Sequence, residues 1–191
     1  MRGSTALAER LSSSEFRAVL TAYRRQVSEA ARASFGIVDK FIGDGALVVF
    51  GLSGSVENAC GEAIRFSEHL IASIPADLAC STVSGPIRIG VGVHFGSVFC
   101  GVVGDGDRME FTVLGDTVNV AARLQEQSKA HDVSLLVSAV TLDRTSDRSG
   151  WRRVGSIHLP GRIEPVETFT RQHPPARLDQ QPDRPRLAAD C

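Results

Sequence analysis

Four side chains in this sequence combine type and spacing in a way that chemistry can use. Lys40 and Asp44 lie four apart in "DKFIGDGALVVF", and Asn119 and Arg123 lie four apart in "DTVNVAARL". Asp44 stands between Gly43 and Gly45 with an apolar run on either side, which reads as the tip of an antiparallel hairpin. A carboxylate there either turns the chain or holds a ligand, and Asp-Gly alone speaks for the turn, because both residues tolerate positive φ. Lys40, on the strand before it, is by itself an ordinary solvated side chain. Asn119 and Arg123 place an amide and a guanidinium on one face of an Ala-rich helix, where they meet either water or a polar partner.

The elements that must position these groups are legible in outline. Ser12 and Glu15 have capping-box spacing, and Phe16, Val19, Leu20, Tyr23 and Val27 follow at helical intervals, so a long amphipathic helix is predicted over roughly 13 to 33. The hairpin "GIVDKFIG"/"ALVVFG" follows, then a second helix, "SVENACGEAIRFSEHLIASIP", ended by Pro75. "PIRIGVGVHFG" and "SVFCGVVG" read as a second hairpin around Gly96. A polar turn, "GDGDRM", leads to the strand "EFTVLG", and Asp116 is placed as N-cap of the helix "TVNVAARLQEQSKA". "VSLLVS", "WRRVGSIHL" and "VETFT" are further strands. From Arg171 onward prolines and charges replace apolar residues, so 171 to 191 is expected to be a disordered tail. The order predicts an α+β sandwich, ferredoxin-like (βαββαβ), with a mainly antiparallel sheet and helices packed on one face.

Composition narrows the function classes. A chain of 191 residues with 42% hydrophobic and 23% charged residues suits one soluble domain. Its net charge of -1 supplies no long-range attraction for nucleic acid. The cysteines, Cys60, Cys80, Cys100 and Cys191, form no C-x-x-C pair, and the histidines show no H-E-x-x-H spacing, which speaks against zinc and against a disulfide framework. No secretory leader is apparent, and the uncharged run from Ile89 to Gly104 is short and broken by glycines, so no membrane segment and a cytoplasmic location are expected.

Taken together, "RGST", "FGIVDKFIGDGALVVFG" and "IRIGVGVHFGSVFCGVVGDGDRMEFTVLGDTVNVAARL" resemble the catalytic domain of class III nucleotidyl cyclases, the adenylyl and guanylyl cyclase family, over roughly residues 1 to 170. The resemblance implies an antiparallel homodimer with its active sites between the subunits and two magnesium or manganese ions in each. Asp44 matches the second of the family's two metal aspartates. Asn119 matches the group that orients the ribose, and Arg123 the one that neutralises charge on the α-phosphate. Lys40 and Thr112 match the pair that reads the purine, and a Lys/Thr pair implies ATP as substrate, with 3′,5′-cyclic AMP and pyrophosphate as products. Gly3, Ser4 and Thr5 match the turn that cradles the β- and γ-phosphates.

Two departures accompany the resemblance. The family's first metal aspartate belongs two residues before Arg2, ahead of Met1, so the first strand is expected to be truncated here. A lysine that binds the terminal phosphates is replaced by Pro160, with Arg162 two residues on as its substitute. The leading expectation is an adenylyl cyclase domain working beside an upstream sensor domain. The alternative is a catalytically impaired cyclase-homology module that binds nucleotide or pairs with an intact partner subunit. A diguanylate cyclase is disfavoured, because its G-G-D-E-F type hairpin is replaced by "IGDGALV".

Overall fold

The computed structural model describes residues 1–52, 56–77, 87–107, 109–159 and 162–171. The elements are α1 (Ser4–Arg10), α2 (Ser13–Ala33), β1 (Ile37–Ile42), β2 (Gly45–Val49), α3 (Val56–Asp77), β3 (Val91–Val93), β4 (Phe99–Gly104), β5 (Met109–Leu114), α4 (Asp116–Ala130), β6 (Leu135–Ser138), α5 (Ala139–Leu142), β7 (Trp151–Ile157) and β8 (Val166–Arg171). Strands β3, β6, β8 and β7 form a four-stranded sheet in that order, while β1–β2 and β4–β5 are two-stranded ribbons. Pairing is antiparallel throughout except between β3 and β6.

The predicted start of α2 forms as a capping box. The Ser12 hydroxyl accepts from the Glu15 amide at 3.3 Å, and the Glu15 carboxylate accepts from the Ser12 amide at 2.9 Å. From there Val19, Tyr23, Val27, Ala30 and Ala31 are buried, and they pack with Phe66, Leu70 and Ile74 of α3 and with the inner faces of β1 and β2. Alternation along β6 then divides the core. Leu135 and Val137 point to Ala63 and Ile64 of α3, whereas Leu136 points to Val120 and Leu124 of α4. The α+β class expected from the sequence holds, and its layering is fuller than a single helical face, because α3 and α4 cover opposite sides of β6.

Three local expectations are corrected. The strands flanking Gly96 do not pair with each other: β3 joins β6 in parallel, and β4 pairs with β5 across the polar turn. The reason lies at Gly96, where the Thr117 hydroxyl of α4 donates to the Ser97 carbonyl at 2.7 Å and ties this segment to the helix rather than letting it fold back. Beside it, a Cβ on Gly92 would lie well inside contact with the Ala121 carbonyl and the Gln125 amide, so a glycine is what lets α4 lie against β3. The second correction concerns α3, which runs to Asp77, beyond Pro75. The third concerns α4, whose N-cap is Gly115 at φ 143°, with Asp116 the first helical residue and making no capping bond.

At the other end, Arg171 is no part of a tail. It closes β8, donates to Glu68 and Asp147, and lies 4.6 Å over the Trp151 ring. The remainder of the expected tail, 172–191, lies outside the described residues, as does Pro160. Among the described residues no helix is long and apolar enough to cross a membrane.

Candidate active site

The β1–β2 pairing contains an irregularity that decides where two side chains go. Val38 pairs with Val48 and Lys40 pairs with Leu47, so Asp39 is an extra residue in β1. Such a bulge re-aims side chains. Val38 and Phe41, three apart rather than two, both pack against the core, and Asp39 and Lys40 both turn towards β5. There the Lys40 ammonium donates to the Glu110 carboxylate and stands 3.8 Å from Asp39 Oδ2. The Thr112 hydroxyl donates to the same Oδ2 at 3.3 Å. Asp39 is almost fully enclosed, its side chain 3% exposed, and Thr112 is 5% exposed. The hydrogen bond to Glu110 is the main reason that the Lys40 ammonium is held above the usual lysine range, with burial opposing it and the charges of Glu110 and Asp39 adding to it.

Asp44 sits in the turn, with one difference from the sequence reading. The left-handed residue is Gly43, at φ 60°, and Gly45 is already a strand residue paired with Ile42. The turn is therefore Gly43-Asp44, with glycine in its first central position. Arg24 of α2 fixes it from behind, donating to the Gly43 carbonyl at 3.0 Å while lying 5.0 Å over the Phe41 ring. The Asp44 carboxylate faces the start of the chain, 3.0 Å from the α-amino group of Met1. Burial on its own would raise the Asp44 carboxyl, but hydrogen bonds from that amino group and from the Ser4 hydroxyl outweigh it and hold the carboxyl below the ordinary range. Gly3 takes the left-handed conformation at φ 73° as N-cap of the short α1, and an Arg2–Arg88 bridge pins the preceding residue. Ser4 and Asp44 are thus brought together.

Asn119 and Arg123 share an exposed face of α4, one residue before the buried stripe of Val120 and Leu124. Arg123 is paired with Glu126 at 2.8 Å. Arg162 reaches the beginning of the same helix and is paired with Asp116. His94, just past β3, faces this pair and shares a 2.8 Å hydrogen bond between its Nδ1 and Ser138 Oγ. Burial chiefly, and then the charge of Arg162, push the imidazole below its usual pKa, with Asp116 opposing them.

The structure therefore joins Lys40 with Thr112 through Asp39, and Asp44 with Ser4. Among the described residues, no hydrogen bond or ion pair links either group to Asn119 or Arg123. The sequence reading missed Asp39, Glu110, Arg24 and His94. The i, i+3 apolar spacing of Val38 and Phe41 around two adjacent charged residues was a readable sign of the bulge, whereas nothing in the local sequence announced Arg24 or His94.

Among the described residues no group of three His, Cys, Asp or Glu side chains is arranged to hold a metal ion. Asp44, a partly exposed carboxylate at a turn beside the first residue of the chain, fits one ligand position for a hard divalent cation.

A protein-family model for the adenylate and guanylate cyclase catalytic domain matches residues 1–172. Adenylate cyclase 1 of Rhizobium meliloti (strain 1021) is 30% identical over 169 residues, which is 86% of this chain and 25% of that protein. An uncharacterized protein of Mycobacterium tuberculosis is 29% identical over 183 residues, 92% of this chain and 31% of its own length. The chain thus spans about a quarter to a third of these curated relatives. Among solved structures, the adenylyl cyclase CyaB from P. aeruginosa matches with a TM-score of 0.75 at 27% identity, over 88% of this chain and 87% of that one. The guanylyl cyclase Cya2 matches with a TM-score of 0.76 at 25% identity, over 88% and 86%.

Proposed function

The chain belongs to the adenylate and guanylate cyclase catalytic domain family, and we propose that it converts ATP to 3′,5′-cyclic AMP and pyrophosphate as a homodimer, for intracellular signalling. The observation that carries the choice of ATP is the meeting of the Lys40 ammonium and the Thr112 hydroxyl at one oxygen of Asp39. Lys40 donates to adenine N1, and Thr112 accepts from the adenine amino group. Guanine inverts both polarities.

Asn119 orients the ribose, and Arg123 meets the charge that grows on the α-phosphate, a task suited to a group that is always ionised and carries several donors in a fixed fork. Arg162, with Gly3, Ser4 and Thr5, holds the β- and γ-phosphates. Arg123 is paired with Glu126 and Arg162 with Asp116, both in exposed or half-exposed pairs, so phosphates replace carboxylates at little cost. Asp44 would hold magnesium or manganese, with the triphosphate and water as further oxygen ligands. When bound, two such ions supply acidification of the ribose 3′-hydroxyl and neutralisation of the triphosphate.

A dimer is supported by the β4–β5 ribbon. Val102 and Phe111 face each other across it and are 53% and 58% exposed, and Met109 on the same face is 66% exposed. Apolar side chains grouped in this way mark an interaction surface. In that assembly Lys40 and Asp44, on one hairpin, serve different sites.

The test is formation of cyclic AMP from ATP with manganese or magnesium by the purified chain and by a longer form that includes any upstream coding sequence. Product that disappears in Asp44→Ala supports the reading, and no product from either form with either metal overturns the enzymatic role. The second reading, a module that binds nucleotide without turning it over, is favoured by there being, among the described residues, no group of three His, Cys, Asp or Glu side chains arranged to hold a metal ion. It would show as nucleotide binding without product in both forms.

A further inference from the structure

We propose that Asp39 sets the polarity of the Thr112 hydroxyl and thereby makes the six-position of the purine ring readable as adenine. The inference rests on the reading of Lys40 and Thr112 as the base-reading pair, and it adds a specificity-determining residue to that pair.

A threonine hydroxyl has one proton and two lone pairs, so a free one accepts from an amino group or donates to a carbonyl with equal ease. Left unconstrained, Thr112 would not distinguish the adenine amino group from guanine O6. It is not unconstrained. Its only proton is directed at Asp39 Oδ2, 3.3 Å away, and a carboxylate has no proton to give back. What Thr112 presents to a ligand is therefore lone pairs alone, an acceptor that suits an amino group and repels a carbonyl oxygen. The enclosure of Asp39 keeps water from competing for that bond.

The same oxygen works on Lys40. At 3.8 Å from Nζ, Oδ2 acts on the ammonium through its charge and helps to hold it on the β5 side of the strand, while Glu110 takes one of its donors. Two donors of Lys40 are left, and one of them can reach a purine N1, which accepts in adenine and is protonated in guanine. Asp39 occupies this place only because of the bulge. In a regular strand it would point to the face opposite Lys40, and Oδ2 could not reach both groups. Across β5, Thr112 is opposed by Gly101, which has no side chain to offer the hydroxyl another partner.

The experiment measures the ratio of affinities for ATP and inosine 5′-triphosphate by displacement of a fluorescent ATP analogue from the purified chain, with manganese present. Inosine differs from adenosine only at the six-position and N1. Asp39→Asn is isosteric but can turn an amide N–H towards Thr112, which frees the hydroxyl proton to donate. Its preference for ATP is expected to fall roughly tenfold, the worth of one hydrogen bond. Thr112→Val should lose the preference to a similar extent, and Asp39→Asn should add nothing in that background. Asp39→Ala, which also removes the acceptor, serves if the amide disturbs the strand. Equal weakening of both nucleotides in the Asp39 variants would mean a merely structural role and overturn the proposal, as would a ratio that moves in Thr112→Val but not in the Asp39 variants. A ratio unchanged in Thr112→Val, or displacement by neither nucleotide, would instead remove the base-reading assignment on which the proposal stands.

Discussion

The guanidinium of Arg24 donates to the carbonyl of Gly43, the residue immediately before Asp44, and so ties the middle of α2 to the tip of the β1–β2 hairpin. Arg24 also covers the Phe41 ring. Neither contact involves Asp44 itself, so their loss should loosen the tip without altering the carboxylate.

Arg24→Ala is accordingly expected to lower stability by about 1–2 kcal/mol, from one hydrogen bond and one cation–π contact. If Asp44 holds metal, the manganese concentration that half-saturates nucleotide binding should rise several-fold in the same variant. Thermal unfolding and a metal titration separate the two effects. Unfolding at a lower temperature with an unchanged metal requirement would mean that the tip keeps its geometry without Arg24.

His94 gives a pH dependence of definite sign. Its pKa in the folded chain lies below the ordinary imidazole value of 6.5, so below about that pH the unfolded chain binds more protons than the folded one. Stability should hold above pH 6.5 and fall as the pH drops from there through the folded value. His94→Gln, which cannot titrate, should melt at more nearly the same temperature at pH 7.5 and pH 5.5 than the parent does. An equal drop in both chains would place the acid sensitivity elsewhere.

The β4–β5 ribbon gives a test of assembly that leaves the fold alone. Because Phe111 is 58% exposed, Phe111→Asp should leave thermal unfolding of the monomer nearly unchanged. If the ribbon is the dimer surface, the same substitution should weaken self-association by about 30-fold or more, the range of a central apolar contact. Sedimentation over a range of concentrations reads this directly. A dimer unaffected by the charge would move the interface off this face.

What was legible in the sequence, and what was not, follows from the range of the forces involved. Capping boxes and helical periodicity are local, and α2 begins where Ser12 and Glu15 say it should. The wrong partner for the strand before Gly96 arose because adjacency was the only guide. The true partner, β6, is chosen by the packing of α4 on Gly92, which no window around Gly96 contains. The site divides in the same way. Lys40, Asp44, Asn119 and Arg123 stand out by residue type and spacing, while Asp39 meets Thr112 only when β5 is laid beside β1. Asp116 looked like a cap because aspartate usually is one; here its carboxylate is drawn to Arg162, 46 positions along the chain.

The bulge in β1 has a consequence for how this segment can be altered. Removing the single residue Asp39 would leave Val38, Lys40, Phe41 and Ile42 in strict inward and outward alternation, with every apolar contact of the hairpin preserved and its ladder made regular. Shortening the strand at position 39 is thus compatible with the apolar pattern of the hairpin, whereas the carboxylate that Lys40 and Thr112 share would go with it.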